Sequence, residues 1–143
     1  MLTRFTLFAV ASLAFVGSLA LVSAQSTRSS SPGGWTLPAT ADQEKNPFAG
    51  DAKAVAAGKE LFTKNCQRCH GAAGKGDGPD ADPDSMQDMD LTVARRAARN
   101  SDGVVFYKAW NGRTKPKMPA FSSKLTKDEV WQIVTYVQTL REK

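Results

Sequence analysis

Both cysteines and the only histidine of this 143-residue chain lie within five consecutive positions, Cys66-Gln67-Arg68-Cys69-His70. Three reactive side chains so close offer four chemistries: a disulfide, a zinc site, a redox dithiol, or the covalent attachment of a haem. A Cys66–Cys69 bond would close a tiny loop, which removes little chain entropy and marks a reactive pair rather than a staple. Structural zinc takes four protein ligands, and no second cysteine pair exists to complete these three. A thioredoxin-like pair belongs in a βαβ context, of which the sequence shows no sign. The C-x-x-C-H spacing is instead that of haem attachment, with two thioethers to the vinyl groups and the adjacent imidazole under the iron. Cys66 and Cys69 are thus the candidate covalent anchors of one haem c, and His70 the candidate proximal axial ligand. A surface dithiol beside an idle histidine is the plainer alternative.

An iron held by His70 needs a ligand on its other face. With no second histidine, bis-histidine coordination by this chain is excluded. Downstream of the N-terminal apolar segment the chain has three methionines, Met86, Met89 and Met118. Met118 follows His70 by 48 positions with a helical segment between, room enough to travel round the haem edge. Pro116 and Pro119 fix φ on both sides of it and stiffen the loop that must present a thioether. A soft thioether favours ferrous iron and raises the potential. Met118 is therefore the candidate second axial ligand, with Met86, Met89 or an open site as alternatives and a merely buried loop methionine as the bland reading.

Such a constellation needs elements to position it, and from about residue 50 to 140 the pattern is helical. Asp51 can cap a helix running to about Lys64, with Val55, Gly58 and Phe62 on one face. Gly58 in mid-helix costs about 1 kcal/mol against Ala, which points to close approach by another backbone. Thr126-Lys-Asp-Glu129 is a capping box opening a helix with Val130, Ile133, Val134, Val137 and Leu140 on one face. These two helices are expected to cross at Gly58. Ser101 can cap a shorter helix carrying Val105, Phe106, Ala109 and Trp110, ended by Gly112. No strand pattern stands out. About 90 folded residues make a small core, which a covalently held porphyrin would enlarge.

The N-terminus sets the compartment. Arg4, the apolar run Phe5 to Val22, and Val22-Ser23-Ala24 before Gln25 read as a secretory signal with a small-residue cleavage site. An uncleaved membrane anchor is the alternative, weakened by Ser12, Gly17 and Ser18. The chain then divides into residues 1–24 as signal, 25–48 as a flexible Ser/Thr/Gly/Pro-rich tail, and 49–143 as the folded domain. Trp35 and Phe48 are the aromatic residues that could clamp the tail to the domain. Either fate of the signal puts the fold outside the cytoplasm, with the periplasm as the expected location.

Charge is distributed in blocks. The formal charge of +5 falls to +4 without Arg4. Residues 77–90 hold six Asp and no base, while residues 95–117 hold seven bases against Asp102 alone. A dipolar molecule results. Asp80-x-Asp82-x-Asp84 suggests calcium, but the run lacks the glycine and terminal glutamate of an EF-hand loop and contains Pro83, so a solvated loop is the default. The basic cluster is read as steering an acidic protein partner or sitting near haem propionates, not as binding nucleic acid.

Taken in order, Gly58 and Phe62 in a first helix, Cys66-Gln-Arg-Cys69-His70-Gly71, "GKGDGP", "DLT", "NGR", Lys117-Met118-Pro119-Ala120-Phe121, and a last helix with Trp131 and Tyr136 resemble class I c-type cytochromes, in particular small bacterial single-haem ones. The resemblance spans about residues 46 to 141. It implies an all-α cytochrome c fold, a few helices wrapped round one haem with the first and last crossing, and it points to Met118 as the axial methionine. It also implies one haem edge at the surface near Arg68, Arg113, Lys115 and Lys117. The function expected is single-electron transfer by an exported, non-enzymatic carrier; the alternative is the haem subunit of a dehydrogenase or oxidase complex. A ligand sensor or peroxidase would need a distal group, and His70 is already spent.

Overall fold

A computed structural model describes residues 29–31 and 34–141; the proposed signal, residues 1–24, lies outside the described residues. Three helices carry the architecture. Helix α1, Ala52–Asn65, starts at Asp51, whose Oδ1 accepts from the Lys53 amide at 2.8 Å and the Ala54 amide at 3.4 Å. One-turn helices follow at Gln67–His70 (α2), Met86–Met89 (α3) and Ala94–Ala97 (α4). Helix α5, Asp102–Asn111, is capped by Ser101 and ended by Gly112. Helix α6, Lys127–Leu140, opens on the capping box: Thr126 Oγ1 accepts from the Glu129 amide while the Glu129 carboxylate accepts from the Thr126 amide at 2.7 Å.

Helix α6 is the centre of the molecule. Val130, Ile133, Val134 and Val137 form the expected stripe, and Trp131, Thr135 and Tyr136 are buried as well, so most of its circumference faces protein. One side packs on α5, where Trp131 stacks on Phe106 with ring centroids 4.2 Å apart and Phe121 closes the cluster. The other side packs on α1, where the buried Phe62 ring meets Tyr136 edge-on at 5.3 Å. The two long helices touch backbone to backbone at Gly58: a β-carbon there would lie 2.0 Å from the Gln132 carbonyl oxygen. The crossing expected at that glycine is therefore present, because no side chain separates the two chains.

Two features go beyond the sequence reading. A short antiparallel ribbon pairs β1, Ser29–Ser31, with β2, Trp35–Leu37, where no strand was expected. Its three-residue strands are too short for an alternating pattern to register. Within the segment read as tail, Trp35, Leu37 and Ala41 are also buried, forming a third cluster against Val104, Tyr107 and Met118. The Ser- and Gly-rich composition around them masks three apolar positions that find partners only in three dimensions.

Candidate haem centre

The C-x-x-C-H motif is one helical turn. Cys66 ends α1 with its amide on the Phe62 carbonyl at 2.8 Å. The amides of Cys69 and His70 then both bond to the Cys66 carbonyl, at 3.2 and 3.0 Å, before Gly71 terminates α2. Cys66, Cys69 and His70 thus stand at i, i+3 and i+4, which share one face of a helix. That spacing brings two sulfurs and an imidazole out on the same side.

The two thiols are not joined. Cys66 packs among Phe62, Ile133, Tyr136 and Val137. Burial, reinforced by Cys69, pushes its thiol up to about 12, so Cys66 stays protonated at neutral pH. Among the described residues no three His, Cys, Asp or Glu side chains group as a metal site. Four of the six aspartates of the acidic run have local duties instead. Asp80 pairs with Arg68, Asp88 with Arg96, Asp82 caps the turn Pro83–Ser85, and Asp90 accepts from the amide and hydroxyl of Thr92.

His70 is oriented by a single bond. Its Nδ1 lies 2.7 Å from the Met89 carbonyl oxygen, an atom that can only accept, so Nδ1 carries the proton and Nε2 keeps its lone pair. A second bond partner of this kind fixes the tautomer and ring direction of a ligating histidine and raises its basicity. Burial lowers the His70 pKa, with the bond to Met89 opposing the shift and the charge of Arg113 adding to it. The ring is therefore neutral at pH 7, the form a metal binds. Two thiols not joined by a disulfide, on the same turn as an imidazole whose Nε2 keeps its lone pair, are a donor set that fits covalently attached haem.

The three methionines occupy different settings. Met86 is 44% exposed beside the acidic run. Met89 is buried, but its own carbonyl sits on Nδ1, which places its backbone behind the imidazole, away from Nε2. Met118 is half-buried between the α5/α6 cluster and the Trp35 cluster. Its amide and carbonyl form a two-bond ladder with Arg113, both at 2.9 Å. Gly112 makes this turn with φ of +62°, and a β-carbon on it would lie 2.5 Å from the Met118 carbonyl oxygen. The segment after the turn is tied to α5 through Phe121 N to Ala109 O at 3.0 Å. Arg113 links this loop to the histidine: it is the ladder partner of Met118 and its charge is felt at His70.

The bases expected round the haem edge are not equivalent. Arg68 is exposed, yet it makes a bidentate pair with Asp80 at 2.6 and 3.0 Å. Arg113 turns inward, its guanidinium 4.5 Å from the centre of the Trp35 ring. Lys115 and Lys117 are exposed at the loop surface. Sequence reading missed the Met89 carbonyl and the inward role of Arg113, since a backbone acceptor carries no residue signature and a lone arginine reads as surface charge.

Comparison with known proteins agrees with this geometry. Residues 55–141 match the cytochrome c family. The chain is 29% identical over 86 residues to cytochrome c6 of Diacronema lutheri, covering 58% of this chain and 92% of that protein. Cytochrome CL of the methylotroph Methylophaga aminisulfidivorans superposes with a TM-score of 0.51 at 25% identity, over 65% of this chain and 57% of that one. A reducing HAO-like protein complex of Kuenenia stuttgartiensis superposes with a TM-score of 0.54 at 27% identity, over 67% of this chain and 47% of that one. The chain thus spans about half the length of these two structural relatives. A family match over more than half the chain, joined to the C-x-x-C-H turn, identifies an all-α protein that carries covalently attached haem c and transfers electrons: this chain belongs to the cytochrome c family.

Proposed function

We propose that the protein is an exported single-electron carrier whose haem is bound through Cys66 and Cys69 and ligated by His70 and Met118. The observation that carries this reading is the pairing of His70 Nδ1 with Met89, which leaves Nε2 as the one imidazole atom available to iron. When bound, the haem supplies a one-electron ferric/ferrous couple. The chain does the rest by holding still. The ladder to Arg113 and the turn at Gly112 keep the Met118 thioether in place, and the burial of His70 keeps its ring neutral. With a side chain on each axial position, no coordination site is left for a substrate, so the reading is a carrier rather than an enzyme.

Export rests on the leader, residues 1–24, with Gln25 as the mature N-terminus; N-terminal sequencing of the periplasmic protein tests it. Among the described residues no helix is long and apolar enough to cross a membrane. The likeness to a chain of the HAO-like complex supports a second reading, a haem subunit docked in a larger assembly. Lys115 and Lys117 favour the carrier, because exposed like charges suit brief, steered encounters with an acidic partner.

The ligand assignment has a direct test. Acid-acetone extraction should leave the colour on the protein, and the oxidised protein should show the weak far-red sulfur-to-iron band. Met118→Ala should abolish that band while covalent haem survives. Loss of the band with Met86→Ala or Met89→Ala, and not with Met118→Ala, overturns the assignment.

A further inference from the structure

The segment Gly34 to Asn46 precedes the region that matches the cytochrome c family, yet it is fastened to the loop that carries Met118. Three contacts make the grip. Gly34 lies beside the loop backbone, where a β-carbon on it would meet the Lys115 carbonyl oxygen in ordinary contact at 3.6 Å. The Trp35 ring receives the Arg113 guanidinium at 4.5 Å and, from α5, the Lys108 ammonium at 5.3 Å. Trp35, Leu37 and Ala41 then pack on Met118 itself, together with Val104 and Tyr107.

The segment is anchored at its far end as well. Ala41 and Glu44 cross α5 at Gly103, where a β-carbon would sit 2.0 Å from the Ala41 carbonyl oxygen. Asn46 Nδ2 donates to Asp102 Oδ2 and to Thr135 Oγ1, each at 3.0 Å, and Gln138 also bonds Asp102. The segment is therefore a strap held to α5 and α6, reaching with Trp35 onto the Arg113–Met118 ladder. A loop whose arginine is stacked on a buried ring cannot swing without unstacking it.

We propose that Trp35 is a positioning residue for the axial methionine: through Arg113 it clamps the loop, which holds the thioether on the iron against competing ligands and keeps the potential high. The proposal rests on Met118 as the ligand. Its physical basis is the π face of Trp35, which attracts both cations in a partly desolvated setting. Burial alone would be served by any apolar side chain of similar size. Lys108 and Arg113 carry like charges that repel one another, and the same ring attracts both.

The test uses the full-length holoprotein and the pair Trp35→Phe and Trp35→Leu, which fill the site with and without a π face. Imidazole is the competing ligand, titrated into ferric protein. Trp35→Leu should bind imidazole about tenfold tighter, the weight of two cation–π contacts. It should also lose the sulfur-to-iron band at lower pH and show a lower reduction potential, with covalent haem content and helix content unchanged. Trp35→Phe should stay near wild type in all three. An unchanged imidazole affinity and potential in Trp35→Leu overturns the proposal, as does an equal change in Trp35→Phe. If Met118→Ala leaves the band intact, the ligand assignment fails instead, and the two failures are distinguishable. Hydrogen exchange on the wild type keeps the clamp testable even if Trp35→Leu does not mature. The Arg113 and Met118 amides should exchange together with the Ala41 amide of the strap. A strap that opens while the loop stays protected refutes the clamp.

Discussion

Replacing Gly58 with alanine tests the frame on which the haem turn is mounted. A β-carbon at residue 58 meets the Gln132 carbonyl oxygen at 2.0 Å, its carbon at 2.6 Å and Tyr136 Cβ at 3.1 Å. Two of these are backbone atoms of the central helix and cannot rotate away. Restoring an ordinary 3.4 Å contact requires α1 and α6 to part by about 1.4 Å. Overpacking of this kind costs about 3 kcal/mol, the upper part of the usual range, because neither neighbour can yield. Alanine returns about 1 kcal/mol through its better helix propensity. The net loss is about 2 kcal/mol, or about 8–16 °C in Tm for a domain of this size. The displacement also reaches the site, since α1 carries Phe62, whose ring lies against Tyr136 and 6.5 Å from His70, and ends at Cys66. Urea unfolding followed by helical circular dichroism measures the midpoint, and the slope should be unchanged. Ala56→Gly, on the exposed face of α1, isolates the propensity contribution and should lose about 1 kcal/mol. A Gly58→Ala protein as stable as wild type, or more so, refutes the claim that the two backbones meet at this glycine.

Lys115→Gln with Lys117→Gln should slow oxidation by an acidic partner about tenfold at low salt, and the difference should vanish near 1 M salt, where the Debye length is about 3 Å. Neutralising Arg68 and Asp80 together should change that rate little, because their charges already offset one another. Stopped-flow rates measured across ionic strength decide this, and a wild-type rate indifferent to salt removes the steered carrier in favour of the docked subunit. Acid stability should carry the signature of the α6 capping box. Bonds from the Thr126 backbone and hydroxyl hold the Glu129 carboxyl below its ordinary value. A depressed carboxyl contributes stability that is complete above the unfolded pKa, about 4.3, and is lost as pH falls through the lower folded value. Glu129→Gln should therefore lower the urea midpoint at about pH 6, and the difference should shrink as pH falls below the ordinary carboxylate range. Parallel midpoint curves for the two proteins would remove Glu129 as the source.

Much of this molecule could be read along the chain because its determinants are local. Capping at Asp51, Ser101 and Thr126 uses side chains within three residues of the amides they satisfy, so the starts of α1, α5 and α6 were legible. The haem turn is equally local: Cys66, Cys69 and His70 share a face because helical spacing puts them there. Gly58 announced a crossing because a glycine in a helix is unfavourable unless something approaches closely. What only the tertiary structure decided are pairings between distant parts of the chain. The Met89 carbonyl finds His70 across 19 positions, and nothing in the residue type of a backbone acceptor signals it. Arg113 reads as surface charge until Trp35, 78 positions earlier, provides the ring on which it stacks. Trp35 itself sits in a stretch whose composition speaks for a loose tail, and it is buried because α5 and the Met118 loop together form a surface that matches it. Local hydrogen bonding and periodicity are properties of a short window of sequence; a clamp between residues 35 and 118 exists only once the helices have been packed.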